Sequence, residues 1–354
     1  MNPVNVSDFR NLAKRTLAAE IFDFIDGGSC DEITKLDNKR AFDSIRLRPF
    51  CLRDVSKIDT SIKLPWINSS APILIAPMAF HQLVHPQGES GTAKAAKTCG
   101  IPLIVSSMSN QSLEEIASQS QNPQLLLQTY IFKNRTLTEE LVYRAEKAGY
   151  KSIVVTVGTP ITGKRDRDIR NQFILPPQCT TGNFSSRVND NLIYQFTAEE
   201  FDASLTWKDI EWIQSITTLP IVLKGILNPQ DAETACQLNI AGIVVSNHGG
   251  RQLDTSEATI NVLPDIIATV AGRTPVLIDG AIERGTDILK AIALGADAVL
   301  IGRPTLWSLA VNGEQGVESM LTLLKDEFEI AMKLSGLSTI QAIKDTGKEL
   351  INGI

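Results

Sequence analysis

PIVLKGILNPQDAETACQLNIAGIVVSN, from Pro220 to Asn247, decides the fold. It opens on one short apolar run, Pro220–Gly225, and closes on another, Gly242–Asn247. Both are apolar on successive residues rather than alternate ones. Strands of that kind are buried on both faces, as a parallel sheet requires. Between them Pro229–Leu238 (PQDAETACQL) has apolar residues at i, i+3, i+4 spacing and stops at Asn239–Gly242, as a helix does at its C-cap. The stretch is one strand–helix–strand unit.

The same unit recurs outward in both directions. Towards the N-terminus stand Ile73–Pro77 (ILIAP), Leu103–Ser107 (LIVSS), Leu125–Tyr130 (LLLQTY) and Ser152–Val157 (SIVVTV). Towards the C-terminus stand Pro275–Gly280 (PVLIDG) and Ala298–Pro304 (AVLIGRP). Thr136–Ala148 and Thr286–Leu294 read as helices, ended by Gly149 and Gly295. Eight such units predict an α/β protein, a closed (β/α)8 TIM barrel, rather than an open doubly wound sheet. No GxGxxG follows the first strand, which also disfavours a dinucleotide-binding sheet.

The expected organisation is a single domain over residues 1–354. A helical extension at 1–70, with amphipathic stretches near 8–25 and 31–42, precedes a barrel at 71–310, and helices at 311–354 follow it. Residues 161–206, after strand four, are long, polar and aperiodic, and they read as a functional lid.

Composition narrows the function. The chain has 354 residues, 34 basic and 40 acidic side chains and a net charge of −6, so no broad basic field invites nucleic acid or anionic membrane. Five scattered cysteines without a CxxC pair fit a reducing compartment, and with only three histidines no metal centre is expected. No signal peptide or membrane-spanning run is read. The expectation is a cytoplasmic protein.

Chemistry in such a barrel sits where the strands end. Those ends carry Pro77, Met78 and Ala79; Ser106; Gln128 and Tyr130; Thr156; Lys224; Ser246, Asn247 and His248; Asp279 and Gly280; Gly302 and Arg303. After strands seven and eight, DGAIERGTD (Asp279–Asp287) and IGRP (Ile301–Pro304) form a phosphate cradle. There Gly280, Gly285 and Gly302 admit close backbone approach, a helix near Thr286 points its positive end inward, and Arg284 and Arg303 supply charge. In SNHGGRQLD (Ser246–Asp254), His248 can take a proton from a hydroxyl while Arg251 grips a carboxylate.

With APMAF (Ala76–Phe80), LQTY (Leu127–Tyr130), PIVLKG, VSNHGGRQLD and IGRP together, the chain resembles the FMN-dependent 2-hydroxy acid oxidases and dehydrogenases, the group of glycolate and lactate oxidases. The resemblance runs from the N-terminal helices to about Asp345. It implies FMN as cofactor, with Pro77, Met78, Ala79, Ser106, Gln128, Thr156, Lys224 and Ser246 around the ring and ribityl chain. Asp279, Gly280, Ala281, Gly302 and Arg303 would hold ribityl and phosphate. Tyr130, Arg165, His248 and Arg251 would line the pocket for a small carboxylate substrate, with His248 as base and Lys224 facing the reduced flavin. With no haem-binding module read before the barrel and no membrane segment in the lid, oxygen is the expected reoxidant, giving hydrogen peroxide; the resemblance also implies a homo-oligomer, often a tetramer.

Three positions depart from that pattern. Phe24 stands where the family has a carboxylate-binding tyrosine, and Gly158 where it has the aspartate that orients the histidine. Glu283 stands where an arginine follows the glycines, with Arg284 a candidate substitute. Phe24 and Met108 suggest a more apolar pocket and a bulkier substrate. Three readings stay open: a 2-hydroxy acid oxidase in which Asp166, Asp168 or another lid carboxylate replaces the missing partner; a flavin oxidation of an amino or larger biosynthetic substrate; or a non-catalytic flavin-binding protein.

Overall fold

The computed structural model describes residues 3–177, 179–184, 196 and 199–352. Eight parallel strands close into a barrel: β1 (Ile73–Ile75), β2 (Leu103–Ser106), β3 (Leu125–Thr129), β4 (Ile153–Thr156), β5 (Ile221–Ile226), β6 (Gly242–Val245), β7 (Val276–Ile278) and β8 (Ala298–Ile301). Closure is in register, with Val299, Leu300 and Ile301 of β8 opposite Ile73, Leu74 and Ile75 of β1.

The successive apolar residues have two destinations. Leu74, Ile104, Leu126, Val154, Val222, Val244, Leu277 and Leu300 fill the barrel interior. Their neighbours, such as Ile73, Val105, Leu127 and Val155, face the surrounding helices. Each such side chain removed from water contributes about 1.5–3 kcal/mol, which is why both faces of every strand are apolar. The lower end is plugged by a hairpin pairing Ile62–Leu64 with Ile67–Ser69, whose Trp66 is buried and donates its indole N–H to the Ala241 carbonyl at 3.1 Å. That leaves the C-terminal ends of the strands as the open mouth.

The N-terminal extension holds three helices, α1 (Val6–Thr16), α2 (Ala19–Asp26) and α3 (Ile33–Ser44). The single stretch expected over 8–25 is broken because Leu17 and Ala18 are extended, at ψ 151° and 145°. The break lets α1 bury Val6, Phe9 and Ala13 while α2 separately buries Phe22, Phe24 and Ile25. The helices around the barrel are α4 (Gly88–Cys99), α5 (Leu113–Ser120), α6 (Arg135–Lys147), α7 (Asp166–Arg170), α8 (Trp207–Ser215), α9 (Pro229–Gln237), α10 (Thr259–Val270), α11 (Gly285–Ala293), α12 (Arg303–Leu334) and α13 (Ile340–Thr346).

The eighth strand is shorter than AVLIGRP, since α12 starts at Arg303 with Pro304 in its first turn, where the missing N–H costs nothing. The chain end is not wholly helical as expected: Ile351–Asn352 pairs antiparallel with Arg46–Leu47 and ties the C-terminus to the N-terminal extension.

Of the lid expected at 161–206, residues 178, 185–195 and 197–198 lie outside the described residues. Its first part is anchored. Arg167 of α7 donates to Asp23 at 3.0 Å, Asp26 at 3.4 Å and Glu32 at 2.6 Å. Asp26 is buried and also takes a two-pronged bond from Arg10 at 2.7 and 3.0 Å. Burial pushes the Asp26 carboxyl up, but Arg10 and Lys35 hold it well below the usual carboxylate range. This ionic cluster joins α1, α2, α3 and α7 above the mouth.

Candidate active site

The strand ends deliver one continuous wall. Pro77, Met78 and Ala79 follow β1, Ser106 ends β2, Gln128 and Tyr130 end β3, and Thr156 ends β4, all on one cavity. Their polar atoms form a chain: Ser106 Oγ donates to Gln128 Oε1 at 3.3 Å, and Gln128 Nε2 donates to Thr156 Oγ1 at 3.0 Å. Lys224 reaches the same cavity from β5, where the register with β6 shifts between Lys224 and Ile226. Gly225 at that shift has φ +117°, and a Cβ on it would lie 2.5 Å from the Gly158 backbone nitrogen. The ends of β4 and β5 therefore meet glycine on glycine.

Behind the wall stands a tight triad. Lys224 Nζ lies 2.7 Å from Asp279 Oδ2 and donates to Ser246 Oγ at 2.8 Å, while Ser246 Oγ donates to Asp279 Oδ2 at 2.8 Å. Ser246 Oγ also accepts the His248 backbone N–H at 3.1 Å, so the cation, the carboxylate and the histidine loop are set as one unit. Asp279 Oδ1 is buried and accepts no hydrogen bond among the described residues. An acceptor left open beside a fixed ammonium fits a polyhydroxyl chain, so the triad would suit the ribityl end of a flavin, with Lys224 offering its charge to the ring.

His248 faces the cavity with Arg165, Arg251 and Tyr130. Enclosure, then Lys224, Arg165, Arg251 and Arg303, hold its imidazole well below the ordinary histidine range. The ring is consequently neutral at physiological pH, the state a proton acceptor needs. Its Nδ1 lies 3.4 Å from Thr159 Oγ1. Asp166 and Asp168 are paired with lid cations instead: Asp168 with Arg165 at 3.9 Å, and Asp166 with Lys164 at 3.0 Å and Arg170 at 3.4 Å, while the lid carboxylate Asp190 lies outside the described residues. Burial raises the Tyr130 phenol pKa, against the pull of Arg165 and Arg251, so its proton is available for donation.

Arg251 is held in place by the carbonyls of Phe24 at 2.8 Å and Gly27 at 2.9 Å, its guanidinium 5.5 Å from the Phe24 ring centroid. Arg165 Nε is buried and donates no hydrogen bond among the described residues. Two guanidinium groups on one cavity, one with an unused donor, suit a carboxylate. Phe24 stacks on Phe173 at 4.5 Å and Met108 is buried at the same wall, so the two expected apolar substitutions do meet in the pocket.

The phosphate end differs from expectation. Gly280 (φ +103°), Ala281, Gly302 and Arg303 line it, and the Ala281 and Ile282 backbone N–H groups have no hydrogen bond among the described residues. Arg284 is not there: it points away to Glu327 of α12 at 3.0 Å and is half exposed. Gly285 is not there either, because it is the contact of α11 with α12, where a Cβ would come within 2.2 Å of the Phe328 nitrogen. The start of α11 is already capped, with Asp287 accepting the Glu283 and Arg284 N–H groups and Glu327 accepting that of Gly285. Glu283 itself lines the cavity.

Thr159, Phe201 and Glu283 are wall residues without a sequence-predicted role in binding. Phe201 comes from the far end of the lid segment and packs on Tyr130 at 4.4 Å through an isolated bridge to Phe132. No motif marks it. Thr159 follows the strand-four end by three residues, and that position was the available signal.

Comparison with known proteins agrees with this geometry. Residues 13–349 match the family described as FMN-dependent dehydrogenase. A peroxisomal (S)-2-hydroxyacid oxidase of Arabidopsis thaliana is 51% identical, over 96% of this chain and 94% of its own. An L-lactate oxidase of Nostoc is 45% identical, over 97% of each chain. A crystal structure of mandelate oxidase superposes with a TM-score of 0.92 at 41% identity, covering 99% of this chain and 98% of that one.

Proposed function

The chain belongs to the FMN-dependent dehydrogenase family, and we propose that it oxidises a 2-hydroxy acid with a bulky, apolar side chain to the 2-oxo acid. The observation that carries this reading is a neutral His248 sharing one cavity with the guanidinium groups of Arg165 and Arg251. Bound FMN supplies the two-electron acceptor. The protein's residues do the rest. Arg165 and Arg251 hold the carboxylate, Tyr130 donates to it or to the hydroxyl oxygen, and His248 takes the hydroxyl proton as the Cα hydrogen departs with its electron pair. Lys224, fixed by Ser246 and Asp279, would hold a positive charge beside the ring of bound FMN and so favour its accepting electrons. Imidazolium formation at His248 is favoured only once the substrate carboxylate offsets the surrounding cations.

Phe24, Met108 and Phe201 on the wall support a bulky substrate, and the mandelate oxidase likeness points the same way. The oxidase names of the relatives support oxygen as the final acceptor. A cytoplasmic homo-oligomer rests on the sequence resemblance and composition. The test is an anaerobic panel of 2-hydroxy and 2-amino acids added to the yellow protein. Bleaching by aryl or branched 2-hydroxy acids in preference to glycolate supports the reading; bleaching by amino acids alone overturns it.

A further inference from the structure

The loops after β7 and β8 are where barrels of this kind hold a phosphate, yet a carboxyl group, Glu283, faces that end of the cavity. No hydrogen bond or ion pair of its side chain is found among the described residues. The charged groups around it come from four elements: Arg10 of α1, Lys39 of α3, Arg303 of α12 and Asp287 of α11, which starts two residues after it. All three cations are engaged elsewhere. Arg10 is spread over both Asp26 oxygens at 2.7 and 3.0 Å. Lys39 lies 3.0 Å from Asp43 and 3.8 Å from Asp287. Arg303 donates to the carbonyls of Ile25, Gly27 and Gly249 at 3.1, 2.7 and 2.9 Å. The amides at the start of α11 are likewise already bonded to Asp287 and Glu327.

From this geometry we infer that Glu283 makes the cofactor site proton-coupled: a flavin bearing a terminal phosphate binds with uptake of a proton at that carboxyl, whereas the unphosphorylated flavin does not. The inference rests on the FMN reading above. Two like charges at the same end of a cavity cannot both persist without cost, and protonating the acid removes one of them. Burial already raises the Glu283 pKa in the flavin-free protein, and Asp287 adds to it against Lys39, Arg10 and Arg303. A nearby phosphate raises it again. In the window between those two values, uptake of one proton weakens phosphate-flavin binding by up to about tenfold per pH unit as pH rises.

The experiment titrates FMN and riboflavin into the flavin-free full-length protein, following quenching of flavin fluorescence from pH 5.5 to 8.5. The expected result is that the ratio of FMN to riboflavin affinity falls across that range. In Glu283→Gln the fall disappears and FMN binds about tenfold or more tightly at the alkaline end. The wild-type ratio needs no variant, so it stands even if the substitution harms folding. A ratio that does not fall in the wild type overturns the inference, as does a fall of equal slope in Glu283→Gln. Failure of both flavins to bind overturns the FMN reading together with it, whereas equal, pH-independent binding of both overturns the inference alone.

Discussion

Replacing Gly158 by aspartate is expected to strengthen His248 as a base. His248 is held low by enclosure and by Lys224, Arg165, Arg251 and Arg303, with Thr159 as the neighbour at Nδ1, 3.4 Å away. A carboxylate about 4 Å from the ring contributes about 4 kcal/mol at an effective dielectric of about 20. Allowing for screening, the imidazole pKa should rise by about one to three units. The cost is steric. A Cβ at position 158 lies 3.2 Å from Gly225 Cα and 3.3 Å from its carbonyl oxygen, so the β4 and β5 ends must part by a few tenths of an ångström. Gly158→Asn carries the same Cβ and shape without the charge, and it separates the two effects.

The assay is stopped-flow flavin bleaching by a 2-hydroxy acid, without oxygen, as a function of pH. The wild-type base is neutral down to a pH below the ordinary histidine value, so its acid limb lies low. In Gly158→Asp that limb moves up by one to three pH units and the plateau rate rises by about tenfold or more; in Gly158→Asn neither changes. If the aspartate and asparagine variants share limb and plateau while flavin and melting temperature are unaltered, the electrostatic account of His248 is wrong.

Other outcomes follow from particular contacts. Asp26→Asn removes the buried negative charge paired with Arg10, Lys35 and Arg167 and should cost about 3–5 kcal/mol in urea unfolding. Because the Asp26 pKa is depressed on folding, its contribution is complete above the unfolded carboxylate pKa near 3.9 and is lost as pH falls towards the folded value. The variant should lack that part of the acid destabilisation. Phe24→Tyr adds a donor to the carboxylate end of the pocket and should shift the ratio of kcat/KM for glycolate over an aryl hydroxy acid by about tenfold towards glycolate. Arg284→Ala should leave FMN affinity within about twofold of wild type, since Arg284 faces Glu327; a large loss in a fluorescence titration would return it to the phosphate site.

The barrel was legible because strands buried on both faces need apolar residues in succession, and Leu74, Val154 or Val244 inside had Ile73, Val155 or Val245 outside as neighbours in the chain. The mouth was legible for the same reason: once the strands are placed, their last residues are known, and Gln128, Thr156, Lys224 and Asp279 fall on one wall. What escaped reading depends on partners distant in sequence. Arg284 looked available for phosphate until Glu327 was found beside it, and Gly285 looked like a phosphate turn until α12 was packed on it. The helix break at Leu17–Ala18 answers to burial of Phe9 and Phe24 in different places, which local periodicity does not contain. Phe201 enters the pocket through its pairing with Phe132, a contact no local pattern announces.

The most direct measurement is the rate at which a 2-hydroxy acid bleaches the bound flavin of His248→Ala in the absence of oxygen. With yellow cofactor retained and the fold intact, the account predicts a fall of about 10²–10⁴-fold relative to wild type. Bleaching at the wild-type rate would show that proton removal is performed by another group and would contradict the account.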